Sequence, residues 1–195
     1  MPSKGEQSRR KILNAAAKLF NNKGFQATTI SDLVAATGMQ KGSLYFHFSS
    51  KEEIVREVLA EATESFLTFL DQSLYGNSPG AQIESFFRSA LAKHQAAGFV
   101  GGCLFGNTAL EMSDNDPEVA GQIGKVFDVW INRIAQVVGD AQQLGQVRDD
   151  IAAEALARHI VACIEGGIML SRLKKNDQPM RDCLDTLRRS LTNPG

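Results

Sequence analysis

From about residue 6 to residue 191 the apolar residues recur every three or four positions, and no stretch alternates apolar with polar as a half-buried strand does. That period restricts the chain to an all-α fold, and it resolves into nine helices. The first covers about 6–23, with Ile12, Leu13, Ala16, Leu19 and Phe20 on one face and Gly24 placed to end it. The second starts at Thr29 or Ser31 and stops at Gly38. The third is the short segment QKGSLYF. The fourth opens on Ser50-Lys51-Glu52-Glu53, the pattern of a capping box. YGNSPG at 75–80 reads as a linker into helix five, and the glycine-rich GFVGGCLFG leads to helix six. Asp116-Pro117 caps helix seven, Asp149 or Asp150 caps helix eight, and NDQP restarts the chain for a last helix. Gly166-Gly167 in mid-helix implies close approach of a partner helix, as at a dimer interface, or room for a ligand.

Charge divides the chain where hydropathy does not. The net charge is −1, yet residues 1–56 carry +5 and the remainder −6. A basic head on an acidic body points to a polyanion partner for the head alone. No run of eighteen apolar residues exists to span a membrane, and the polar, basic N-terminus is unlike a signal peptide. Three widely spaced cysteines suit a reducing cytoplasm rather than a disulfide scaffold.

Two short helices around Gly38 form a helix-turn-helix. With Leu33, Val34 and Leu44 packed on Leu13, Ala17 and Phe20, helix three lies across the head with one side free. Its first residues, Gln40, Lys41, Gly42 and Ser43, then meet a DNA major groove, where Gln and Lys bond base edges. Thr28 and Thr29 at the start of helix two are placed for a phosphate. In the run Tyr45-Phe46-His47-Phe48, Leu44 and Phe48 fall one turn apart as core. Tyr45 and His47 are left for phosphate oxygens, and Lys51 adds a charge beyond them.

The stretch TTISDLVAATGMQKGSLYFHFSSKEEI resembles the DNA-binding head of the TetR family of one-component repressors over about residues 8–56, most specifically at KGSLYFHFSSKE. The resemblance implies a nine-helix homodimer that binds a palindromic double-stranded operator. It divides the chain into a DNA-binding domain over 1–50 and an effector-binding and dimerisation domain over 51–195, with the dimer made by the last two long helices. It also places Thr29, Gln40, Lys41, Gly42, Ser43, Tyr45, His47 and Lys51 at DNA-facing positions. Met39 and Gln40 differ from the valine and serine frequent there, so the operator sequence does not transfer.

In the body, Cys103 follows a double glycine near a helix start, where the helix dipole favours a thiolate. GGCL is similar to the corresponding stretch of NemR-type repressors, which respond to electrophiles and oxidants through a cysteine. That similarity implies redox or electrophile sensing at Cys103, with Arg172 a candidate cationic neighbour. The alternative is a small buried residue in a tight turn. Phe86, Phe105 and Trp130 are candidate walls for an apolar, aromatic or electrophilic effector. His159, with His94, Asn107, Glu111 and Glu165, is a candidate polar group among them. Cys163, on an apolar helical stripe, reads as core, and Cys183 as core or interface.

No HExxH, CxxC or Walker loop occurs, so no metal, cofactor or catalytic group is expected. Two rival classes remain: a thiol-dependent enzyme using Cys103, and a helical adaptor for protein partners. The favoured reading is a cytoplasmic repressor released when its effector, or modification of Cys103, changes the spacing of its two heads.

Overall fold

The computed structural model describes residues 3–192, all in helices and their connections, with no strand among them. The helices are α1 (Lys4–Lys23), α2 (Ile30–Thr37), α3 (Lys41–His47), α4 (Lys51–Ser73), α5 (Pro79–Ala96), α6 (Leu104–Met112), α7 (Pro117–Gln143), α8 (Ala153–Lys174) and α9 (Gln178–Leu191). None is long and apolar enough to cross a membrane.

The chain forms two compact units. The first holds the residues up to Glu64 together with Cys103–Ile123, and the second holds Ser65–Gly102 with the residues from Gly124 onward. These compact units do not coincide with the DNA-binding domain over 1–50 and the effector-binding and dimerisation domain over 51–195, which are divisions by role. The cut lies inside α4, and α6 joins the N-terminal unit, where it packs on α1.

In the first unit Ile12, Leu13, Ala16 and Phe20 of α1 meet Leu33 of α2, Leu44 of α3 and Ile54, Val58 and Leu59 of α4 in a fully buried core. Each of these side chains larger than Ala16 stabilises the fold by about 1.5–3 kcal/mol before ordering entropy is subtracted. In the second unit the core runs through Leu70, Ile83, Phe86, Phe87, Ile134, Val138, Ile160, Ile164, Met180, Leu184 and Leu187. The last two helices make the most extensive helix pair.

Helix ends show where local sequence signals held and where tertiary partners displaced them. Thr29 caps α2 in a capping box with Asp32, and Asp116 Oδ1 accepts the N–H groups of Glu118 and Val119 ahead of α7. The first helix starts earlier than expected, at Lys4, because Ser3 and Glu6 form a capping box of their own. At α4 only half the predicted box exists: Ser50 Oγ accepts the Glu53 N–H, but the Glu53 carboxylate bonds the N–H and hydroxyl of Ser49 instead. Neither Asp149 nor Asp150 caps α8. Ala152 occupies the cap position and Asp150 is held by the Arg148 guanidinium at 2.6–2.7 Å. At Gly167 a Cβ would stand 3.3 Å from the Met180 Cα, so the close approach there is by α9 of the same chain.

Candidate nucleic-acid interface

Helix α2 is held at its start by three bonds between two residues. Thr29 Oγ1 accepts the Asp32 N–H at 3.1 Å, and Asp32 Oδ2 accepts the Thr29 N–H at 2.7 Å and its hydroxyl at 2.8 Å. Lys23 closes on the same oxygen at 2.6 Å. Lys23 first, and the Thr29 bonds after it, hold the Asp32 carboxyl down at about 2. The helix ends at Gly38, whose φ of +66° is the left-handed conformation that releases the chain toward α3. Nothing lies within 4 Å of a Cβ built there, so the backbone angle rather than crowding calls for glycine.

Helix α3 is seven residues long and is anchored by Leu44 and by Phe48 just past its end, both buried. Residues four apart share one helical face, so everything between these anchors turns outward. Gln40, Lys41 and Gly42 are exposed and Ser43 is half-buried. The Gln40 side chain makes no capping bond and is left to face solvent. Tyr45 is 46% exposed and Phe46 is 84% exposed. The Lys41 ammonium stands 5.9 Å from the Tyr45 ring centroid, and the half-buried His47 meets Phe46 edge-on at 5.2 Å. Phe46 was missed in the sequence reading, although its signal was available: it lies about 200° around the helix from Leu44.

Three expected phosphate contacts are placed otherwise. Thr28 is fully buried, and its hydroxyl donates to the Gly24 carbonyl at 2.6 Å. The Thr29 hydroxyl belongs to the cap. Lys51 turns inward, donating to the carbonyls of Phe25 at 2.9 Å and Thr28 at 3.0 Å. The physical reason is shared: the bend between α1 and α2 exposes backbone polar groups that must be paired, and these side chains are the nearest partners.

Residues expected to gather around an effector are divided between the two units. Phe86 and Trp130 do come together, with ring centroids 6.3 Å apart, alongside Phe66 at 5.1 Å and Phe127 at 5.8 Å from Trp130. Trp130 is 4% exposed, and its indole N–H has no hydrogen-bond partner among the described residues. Burial, with Lys93 adding to it, lowers His94 to about 4, so this imidazole is neutral at physiological pH. Phe105 is buried in the first unit instead, and Asn107 and Glu111 bond α1 and the loop after it. His159 is exposed on α8, and Cys163 is not core but half-buried, its sulfur 3.6 Å from His159 Nε2. Burial, and secondarily the nearby Cys183, push the Cys163 thiol up. Cys103 is the N-cap of α6, with its sulfur accepting the Gly106 N–H at 3.5 Å. Arg172 lies against Gly102, its Cδ 3.3 Å from where a Cβ there would stand.

Residues 12–58 match the family of bacterial regulatory proteins, tetR family, and residues 79–187 match the tetracyclin repressor-like C-terminal domain. The chain belongs to the TetR family of transcriptional regulators. It is 25% identical over 174 residues, 88% of its own length and 86% of the other's, to the HTH-type transcriptional repressor DhaR of Mycobacterium sp. (strain GP1). A TetR transcriptional regulator from Chloroflexus aurantiacus J-10-FL superposes with a TM-score of 0.86 at 32% identity, covering 95% of this chain and 94% of that one. Reduced NemR of E. coli superposes at 0.81 with 20% identity over 96% and 100% of the two chains, a likeness of fold alone. TetR-family proteins are regulators rather than enzymes, which removes the thiol-enzyme alternative. They bind DNA operators, usually as homodimers, under the control of small molecules.

Proposed function

We propose that this TetR-family chain is a homodimeric repressor that reads a palindromic operator with α3 and releases it on binding a small effector. One observation carries the reading: Leu44 and Phe48 hold α3 so that Gln40, Lys41, Gly42, Tyr45 and Phe46 form an exposed face on a head of net charge +5. Gln and Lys suit base edges, Tyr45 and His47 suit phosphate oxygens, and Ser43 lies at the margin. Two such helices one turn of duplex apart, roughly 34–36 Å, require a half-site repeat of about 10 bp.

The partner is a second copy, and α8 supplies the reason. Met169, Leu170 and Leu173 are exposed on one side of it, with Met169 at 59% and Leu173 at 72%. Aliphatic residues at this spacing form a stripe that water disfavours and a neighbouring helix would cover. The test is a titration of duplex DNA from upstream of the chain's own gene. Salt-dependent binding with two subunits per site supports the proposal, and binding unaffected by duplex sequence rejects it.

The effector reading rests on the aromatic nest around Trp130. A buried N–H without a partner is costly, and a ligand carrying a carbonyl or similar acceptor, with a flat apolar body for the Phe66, Phe86 and Phe127 rings, would relieve that cost. Trp130 is the single tryptophan, so its emission reports binding directly. Acetophenone should shift it at lower concentration than ethylbenzene, and equal responses reject the acceptor.

A second effector reading is favoured by Cys103 at the start of α6. Its thiolate would add to a quinone, forming a C–S bond while the ring takes up the displaced electron pair and the thiol proton on oxygen. Cys103→Ser should then stay on the operator when benzoquinone is added. Release equal to that of the native chain dismisses this reading.

A further inference from the structure

On α8 an imidazole and a thiol stand one turn apart. His159 and Cys163 are separated by four positions, so both side chains project from the same side of the helix. The Cys163 sulfur lies 3.6 Å from His159 Nε2 and 3.8 Å from Nδ1. Metal bonds of about 2.3 Å to sulfur and about 2.0 Å to nitrogen put two such donors roughly 3.5 Å apart at a tetrahedral angle and roughly 4.3 Å apart in line. The pair already stands inside that range, and rotation of the exposed imidazole aims Nε2 without moving the backbone. The neighbours on the open side are small: Ala162 is exposed, and nothing lies within 4 Å of a Cβ built at Gly166. A second thiol is close by on α9. The Cys183 Cβ is 3.4 Å from where a Cβ at Gly167, one turn beyond Cys163, would stand. Among the described residues no His, Cys, Asp or Glu joins the pair to make a group of three around a metal.

We infer that His159 and Cys163 form a two-donor site for a soft monovalent metal ion of the cuprous kind. Thiolate selects soft ions, and imidazole suits copper. Structural zinc asks for four donors, more than this helix face offers. Charge favours the same choice. A monovalent ion that bonds the sulfur displaces the thiol proton to solvent, so the half-buried thiol site keeps its net charge. A divalent ion would leave one uncompensated positive charge there, which burial penalises. Burial, which pushes the Cys163 thiol up, also keeps it protonated until a metal takes the place of the proton. The inference stands apart from the DNA-binding and effector readings, and it departs from the expectation that the chain holds no metal ligand.

The test uses the full-length, reduced chain under nitrogen. Cuprous ion is delivered from its bathocuproine disulfonate complex, whose colour reports the copper withdrawn. The native chain should take one ion per chain in its tightest step. Cys163→Ser should weaken that step by at least about a hundredfold and His159→Ala by at least about tenfold, since losing a direct ligand costs no less than losing an outer-shell partner. Cys103→Ser and Cys183→Ser should stay within about threefold of the native chain, because neither thiol is one of the two donors. X-ray absorption at the copper edge should show one sulfur and one imidazole nitrogen. All four positions are exposed or half-buried, so the variants keep the fold, and thermal melts check that they do. Native affinity in Cys163→Ser or in His159→Ala overturns the inference, as does a copper shell of sulfur alone. An equal loss in Cys183→Ser also overturns it, because the ion then belongs to a pair of thiols. So does zinc held at one ion per two chains and lost in Cys163→Ser, which assigns the donors to a four-ligand site shared between two copies.

Discussion

Helices α3 and α8 both leave large apolar side chains in water, but of different kinds and in different company. On α3 they are rings, Tyr45 and Phe46, beside Lys41 and His47. On α8 they are the aliphatic Met169, Leu170 and Leu173, gathered on one side of the last turns of a 22-residue helix. An aromatic ring tolerates a charged, wet neighbour because its edge and face are polarised and, in tyrosine, because a hydroxyl is attached. An aliphatic stripe has no such outlet and gains only by being covered. The first surface suits a polyanion and the second suits another apolar helix. A short helix held by two anchors suffices for reading a groove, whereas a dimer needs length.

Breaking the α8 side should have the largest effect. Met169→Lys with Leu173→Lys should convert the dimer to monomer in sedimentation and lower operator affinity by about a hundredfold or more, because the second head no longer binds from the same particle. Dimers of native stability would show that the partner seat lies elsewhere. On the α3 side, Leu44→Ala removes an anchor and should cost about 2–5 kcal/mol in denaturant unfolding. Surface changes on α3 should be smaller and should separate by kind. Gln40→Ala should cost about 1–3 kcal/mol on the preferred duplex and relax preference at one base position. Lys41→Ala should likewise weaken the preferred duplex more than a scrambled one, and equal weakening of all duplexes would assign it to a phosphate instead.

At physiological pH the smallest effect concerns the body alone, because His94 is neutral there in both folded and unfolded chains. His94 is lowered from 6.5 to about 4 chiefly by burial. The unfolded chain therefore binds a proton that the folded chain refuses between those values, and stability falls as pH drops through that window. His94→Gln should remove this part of the acid-side slope in thermal melts between pH 6.5 and 4. An unchanged slope would place the titrating group elsewhere.

Sequence legibility followed the range of the interactions. Helical period, the Thr29 cap, the Gly38 turn and the Leu44–Phe48 pair all depend on residues within a few positions of each other, and each appears where its spacing indicated. The capping of α4 was half legible, because Ser49 and Ser50 are rival partners for Glu53 at nearly equal reach. Lys51 and Thr28 are placed differently from expectation, Thr28 by a carbonyl four residues back and Lys51 by carbonyls 23 and 26 residues away. Both carry groups suited to phosphate, and only the folded loop shows that backbone carbonyls take them first.

By itself, then, the sequence determined the helices, the turn that makes two of them a DNA-reading pair, and the separation of a basic head from an acidic remainder. These are properties of nearest neighbours along a chain and of summed charge. Only the tertiary structure decided that α6 belongs with the head, that Glu111 and Lys51 hold one loop between them, and that Trp130 is surrounded by Phe66, Phe86 and Phe127. Contacts across tens of residues, such as the 86 that separate Phe25 from Glu111, leave no period in the sequence. They are selected by which backbone groups the packed helices leave unpaired.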